Sequence, residues 1–389
     1  MDISKKNAIR FVLLLGLVSL LADITYEGAR SITGPYLRIL GASGFVVGFV
    51  AGFGELIGYG LRLVSGYIAD KTQKYWTIAG LGYAINLLAI PALALAGRWE
   101  IAAVLMIMER TGKAIRAPAR DVMLSHATAQ TGRGWGFGIH EAMDQIGAMI
   151  GPVVVALVLY FRGEYKTCFA ILFIPAILAL IVLLTAKLIY PHPSSFEKHS
   201  LKIESKGLSK IFWIYLFAVA LIAGGYVDFP LIAFHLKTTS KVSDVWIPIF
   251  YAIAMGVDAL SALLFGRLFD RIGFSVLIIS VLISSIFAPL VFLGGFLFAL
   301  LGMVLWGVGM GVQESVMRAC IAEMIQPDKR GAVYGIFNAT YGLFWFLGSA
   351  IMGMLYDVSM PVLIGFSMGM QLASIPFLLI VRTRLLSKS

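Results

Sequence analysis

Twelve apolar runs, most of them about the length that a helix needs to cross a bilayer core, limit what this chain can fold into. They lie near residues 10–38, 44–69, 77–97, 100–121, 135–160, 167–189, 211–236, 245–269, 274–293, 296–325, 331–356 and 361–381. Polar or Gly/Pro breaks such as GAS (41–43), GRWE (97–100) and QPDKRG (326–331) separate them. Lipid offers no partner for backbone N–H and C=O groups, so only helices and closed barrels span it. The runs lack the alternation of barrel strands, which leaves helices. Composition agrees. The 389 residues are 59% hydrophobic and 13% charged, against about 25% charged in soluble domains. The expected class is an all-α integral membrane protein of twelve transmembrane helices, solvated by the lipid bilayer.

An even number of spans returns the C-terminus to the side of the N-terminus. Of the basic residues in the connecting segments and at the span ends, seventeen fall in one alternating set, including Lys5, Lys71, Lys74, Lys202 and Arg271, and six in the other, including Arg98 and Lys237. The positive-inside rule therefore puts both termini in the cytoplasm, in a plasma or inner membrane. The same asymmetry accounts for the net charge of +10 without nucleic acid, since no stripe pairs basic residues with exposed aromatics. The basic N-terminus and first apolar run read as a helix, not a cleaved leader, because apolar sequence continues past Asp23. Cys168 and Cys320 lack metal or redox spacing, and no HExxH, GxSxG or Walker-type loop is present. No cofactor, no metal and no enzymatic activity are expected.

A polar segment at 190–210 divides the chain into expected bundles at 1–189 and 211–389. The halves repeat. GYIADK (66–71) is answered by GRLFDR (266–271), Asp270 lying 200 positions after Asp70; RGWGFGI (133–139) is answered by RGAVYGI (330–336), Gly331 lying 197 after Gly134. Six helices preserve orientation, so these are parallel repeats, as in the two halves of a rocking transporter.

These motifs resemble the major facilitator superfamily over essentially the whole chain. Its signature between helices 2 and 3, G-x-x-x-D-R/K-x-G-R/K-R/K, is matched by Gly66, Asp70, Lys71 and Lys74, with Gln73 and Tyr75 departing from it. The second copy has Gly266, Asp270, Arg271 and Gly273. ERTGKAIRAPARD (109–121) and the stretch at 132–152 resemble a prokaryotic efflux-type branch. GAMIGP (147–152) is similar to the G-x-x-x-G-P core of the superfamily's antiporters, through Gly147, Gly151 and Pro152. The resemblance implies a two-bundle fold, rocker-switch alternating access and gating by these loop and helix-5 residues. Physically, Gly66 would permit close helix approach, Gly147 and Gly151 share one face, and Pro152 removes a backbone donor. Positive-inside topology alone would also account for Lys71.

Charges inside membrane spans are costly and hence candidate functional groups. At about 1.5 Å of rise per residue, Asp23, Glu55, Arg110, Asp228 and Asp258 fall near mid-membrane, where transporters of this type bind cargo. Asp23 and Glu27 share a helix face with Tyr26 and Arg30 alongside. A carboxyl there either exchanges a proton or forms a static pair. His140 and Asp144, four apart in the fifth span, form a proton relay or a satisfied pair. Glu109 and Lys113 have the spacing of a structural ion pair, while Arg116 and Arg120 are expected near the cytoplasmic end, pairing with Asp70 or Asp121. Arg110 must meet Asp23, Glu55 or an anionic substrate.

The leading expectation is a monomeric proton-coupled exporter of a small amphipathic or cationic compound. Proton coupling is assigned to Asp23, Glu27, His140 and Asp144. Substrate contact is assigned to Tyr26, Arg30, Glu55, Arg110, Asp228 and Asp258. The alternatives are a permease or exporter of an anionic metabolite or metal complex using a buried Arg, and a non-transporting sensor on the same scaffold.

Overall fold

The computed structural model describes residues 3–131, 133–191, 209–324 and 330–386; the expected linker lies almost wholly outside them. Among the described residues sixteen α-helices follow one another: α1 Ile3–Ile39, α2 Gly44–Thr72, α3 Tyr75–Ala92, α4 Trp99–Thr131, α5 Arg133–Arg162, α6 Tyr165–Ile171, α7 Phe173–Ile189, α8 Lys210–Gly225, α9 Phe229–Thr239, α10 Trp246–Ile272, α11 Ser275–Ser284, α12 Phe287–Leu293, α13 Phe296–Met324, α14 Arg330–Val358, α15 Met360–Ala373 and α16 Ile375–Leu386. Among the described residues, eleven helical segments are long and apolar enough to cross a membrane. The more heavily charged α4, 33 residues long, is the twelfth.

Four spans are built from two helices each: α6–α7, α8–α9, α11–α12 and α15–α16. The α8–α9 break is the most open. Gly224 and Gly225 weaken the helix, Tyr226 leaves it in an extended conformation, and Pro230 starts the next one without needing a donor. Backbone groups freed inside a membrane must be re-satisfied by neighbours. The Gly225 carbonyl accepts from Ser367 Oγ at 2.6 Å and Gln371 Nε2 at 3.3 Å. The Val227 carbonyl accepts from Trp306 Nε1 at 2.9 Å, and Tyr226 Oη donates to the Trp306 carbonyl.

The helices group into two compact units, Met1–Tyr36 with Ile57–Ser200 and Leu37–Leu56 with Leu201–Ser389. The first unit centres on Phe11, Leu15, Val18, Trp76, Tyr83 and Met123, all buried. Each unit contains a crossing at which two glycines let backbones touch. In the first, a Cβ added to Gly151 of α5 would strike the Ile24 carbonyl and Gly28 of α1; in the second, one added to Gly348 of α14 would strike Gly224 of α8. Residue 348 lies 197 positions after 151, and Gly224 lies 196 after Gly28, so the spacing of the sequence repeat is, to within one residue, also the spacing of a packing contact. Such contacts gain dispersion and short-range attraction where lipid removes any hydrophobic drive between helices.

Residues 37–56, the end of α1 and the first part of α2, group with the second unit, and α14 holds the start of α2. The Asp357 carboxylate accepts from the amides of Gly44 at 2.9 Å and Phe45 at 2.8 Å, satisfying donors that a helix start leaves free. Gly48 and Gly52 then face Ser349, Gly353 and Phe346 too closely for any side chain.

Candidate functional site

The α1 stretch from Leu20 to Arg30 lies well inside a 37-residue helix, so its charges are not a helix end. Asp23, Tyr26 and Glu27 are only 5%, 6% and 7% exposed. Helical spacing puts all three on one side. Gly147 of α5 fits against the Leu20 carbonyl and the Cβ of Asp23, which seats α5 directly on the turn that carries the carboxylate. The helix-5 glycines therefore have a packing role at the site itself.

Across from α1, α4 presents Lys113, Arg116 and Arg120, spaced three and four apart on one face. The Lys113 ammonium lies 3.9 Å from the Tyr26 ring centroid. The Arg116 guanidinium stacks 4.3 Å over Tyr83 of α3 and lies 5.8 Å from the Tyr26 ring. Arg120 donates to Ser19 Oγ at 3.1 Å, pairs with Asp121 at 2.9 Å and reaches Asp144 at 3.8 Å. His140 Nδ1 is 3.5 Å from the same Asp144 oxygen. Asp23 stands in the field of Asp144 and Glu27 on one hand and of Lys113 and Arg116 on the other. Helices 1, 4 and 5 thus bring three carboxylates and three cations, around two tyrosine rings, into one buried cluster of the first unit.

Several expectations from the sequence need correction. Glu109 does not pair with Lys113: it accepts from Asn86 Nδ2 at 2.8 Å and pairs with Arg110 at 3.3 Å, because Gly82 and Gly112 draw α3 and α4 together and place Asn86 beside it. Arg110 has its own neighbour Glu109 as an ion-pair partner. Of the two arginines expected to pair with Asp70 or Asp121, Arg120 does pair with Asp121, whereas Arg116 is 1% exposed between two tyrosines. The spacing of Arg116 and Arg120 on one helix face was visible in the sequence, while Lys113 was masked by Glu109 one turn earlier. α4 runs 33 residues, longer than one crossing, so its basic face extends further into the protein than the apolar run indicated.

The remaining candidates divide between units. Arg30 is half-buried on α1, while Glu55, Asp228 and Asp258 belong to the second unit. Asp228 precedes α9 at the helix break, and Trp345 Nε1 donates to its carboxylate at 3.3 Å. Tyr226, Trp306, Trp345, Tyr251 and Phe229 pack ring on ring around that break. Asp258 is buried on α10 where Gly311 of α13 passes over it.

Asp70, Lys71, Asp270 and Arg271 are exposed at helix ends. The close approach expected at the signature glycines is not found. A Cβ on Gly66 would make ordinary contact with Pro118, and Gly266 faces open space. Pro152 lies within an unbroken α5. No group of three or more His, Cys, Asp or Glu side chains able to hold a metal occurs among the described residues.

Comparison with known proteins places this geometry in context. The sequence profile described as Major Facilitator Superfamily matches residues 13–349. An uncharacterized protein of Mycobacterium tuberculosis is 39% identical over 383 residues, covering 97% of this chain and 94% of that protein. An uncharacterized MFS-type transporter of Methanocaldococcus jannaschii is 27% identical, covering 90% of this chain and 89% of its own length. Among solved structures, the nucleoside transporter NupG superposes with a TM-score of 0.75 at 16% identity, over 97% of this chain and 99% of that one. A bacterial homologue of the iron transporter ferroportin gives 0.69 at 14%, over 98% and 99%. At those identities the structures show a shared fold.

Proposed function

Because the chain belongs to the Major Facilitator Superfamily, and is therefore a multi-pass membrane transporter and not an enzyme, we propose that it is a proton-coupled secondary transporter of a small organic solute. It works by rocker-switch alternating access as a monomer with both termini cytoplasmic, and Asp23 carries the proton. One observation supports this most directly: a mid-helix carboxylate on α1 is 95% buried beside a lysine and an arginine of α4 and an aspartate of α5. Unbalanced charge inside a membrane is costly. Asp23, Glu27, Asp144 and the Asp121 paired with Arg120 face Lys113, Arg116 and Arg120, so gaining or losing one proton changes the balance of the whole cluster. A group with that leverage can tie proton occupancy to the facing of the site.

His140 and Asp144 form the route by which the proton reaches Asp23 from the α5 side. Arg120, held by Ser19 and Asp121, keeps Asp144 in place. Direction is assigned by gradients, since Gly147 and Gly151, the basis of the antiporter resemblance, serve the α1–α5 contact.

The test is transport in proteoliposomes. The solute that most raises the unfolding temperature of the purified protein is loaded, and a pH gradient is imposed. Wild type accumulates it with proton movement recorded by an internal dye. Asp23→Asn abolishes gradient-driven accumulation and retains solute exchange. Wild-type accumulation in both Asp23→Asn and Glu27→Gln would remove α1 from the coupling step.

A further inference from the structure

Two cations of the cluster have aromatic faces where ion-pair partners would be expected. Arg116 is 1% exposed and Tyr83 is fully buried, yet Arg116 Nε and Nη1 and Tyr83 Oη have no hydrogen-bond partner among the described residues. Buried donors are normally satisfied, and leaving several of them open in one place is expensive. Lys113, one turn earlier on α4, is half-buried and rests on the Tyr26 face. An ammonium on a ring is a looser arrangement than an ammonium on a carboxylate or phosphate, whose charge-assisted bonds are shorter and stronger. Tyr26 is shared by both cations, so its ring forms a common wall.

We infer that Lys113 and Arg116, walled by Tyr26 and Tyr83, form a subsite for an anionic oxygen group of the transported solute, a carboxylate or a phosphate, and that this anion and the proton load together. This deepens the proposed function and rests on it for its second half. The groups facing the subsite from α1 are Asp23, Tyr26 and Glu27, and from α3 Tyr83. From α4 they are Lys113, Arg116 and Arg120, with Arg110 and Glu109 beside Lys113, and from α5 Asp144 with His140 behind it. An ionised Asp23 competes with an incoming anion for the same two cations. Protonating Asp23 removes that competitor, so proton and anion each raise the other's affinity, a reciprocity that thermodynamics requires. A proton and a monovalent anion together add no net charge, which lowers the cost of carrying either across the membrane. They move in the same direction, unlike the exchange that the helix-5 resemblance implies.

The experiment measures binding to purified full-length protein in nanodiscs at pH 5.5 and 7.5. The probes are benzoate and inorganic phosphate, with benzamide and benzylamine as the neutral and cationic counterparts of benzoate. Benzoate, ionised at both pH values, should bind about tenfold tighter at the lower pH, with benzamide and benzylamine far weaker; phosphate, which itself titrates between them, is compared between variants at pH 5.5 only. Lys113→Gln and Arg116→Gln should each weaken the anion about tenfold or more. Should the fully buried Arg116 variant fail to fold, the half-buried Lys113 variant decides. Asp23→Asn should bind benzoate equally at both pH values. Preference for benzylamine, no binding of either anion, or unchanged anion binding in Lys113→Gln would each overturn the subsite and leave water as the partner of these donors. Benzoate binding that needs Lys113 but is equal at both pH values would keep the subsite and overturn the shared loading and the role of Asp23.

Discussion

Tyr26 shows how one residue can connect two charged helices. Its ring lies under Lys113 of α4 while its own helix carries Asp23 and Glu27 on either side of it. The face of the ring, not its hydroxyl, holds the ammonium, so Tyr26→Phe should retain transport close to wild type. Tyr26→Leu removes the quadrupole. A cation–π contact of about 0.5–2 kcal/mol corresponds to roughly a twofold to thirtyfold slower initial rate of solute uptake in proteoliposomes. Asp23 and Glu27 were legible as candidates from cost alone, because an acid in an apolar run is expensive wherever it points. Lys113 was not, since Glu109 at the preceding turn offered it a sufficient partner. Only the arrival of Asn86 from α3 shows that Glu109 is engaged elsewhere.

At the scale of elements, the glycine crossings make opposite predictions at neighbouring positions. Gly151→Leu and Gly348→Leu must push α5 from α1 and α14 from α8. Overpacking of this kind costs about 1–3 kcal/mol, seen as a lower unfolding temperature in detergent. Gly138 and Gly266 have nothing within 4 Å of an added Cβ. Gly138→Ala and Gly266→Ala should leave stability unchanged or raise it by up to about 1 kcal/mol, the helix propensity difference. An uptake defect in a fully stable Gly266→Ala protein would then identify a contact made only in another conformation, as a gating role requires. The broken α8–α9 span was half visible in the sequence. Gly224, Gly225 and Pro230 are weak helix formers, but a membrane ordinarily forbids a break there. The break is tolerated because Ser367, Gln371 and Trp306 supply donors from other spans, which no local reading contains.

For the whole molecule, the parallel repeat organises both topology and packing, and α2 is divided near its middle between the two units, as α1 is at its last residues. Asp357 fixes its first turn, so Asp357→Ala should destabilise the protein by about 1–2 kcal/mol in thermal unfolding, with Asp357→Asn milder. The sequence by itself determined the lipid environment, the twelve crossings, the repeat spacings of 197 and 200 and the superfamily. Each follows from a property that adds up along the chain: apolar length, basic residues counted loop by loop, or a motif at fixed separation. Which charges meet was decided by tertiary structure alone. Asp23, Lys113, Arg116 and Asp144 come from three helices, and their partners depend on how glycine-lined crossings rotate those helices against one another. A shift of one residue in such a crossing turns a helix face by about 100°, enough to exchange a salt bridge for an aromatic ring without changing any property that the sequence displays.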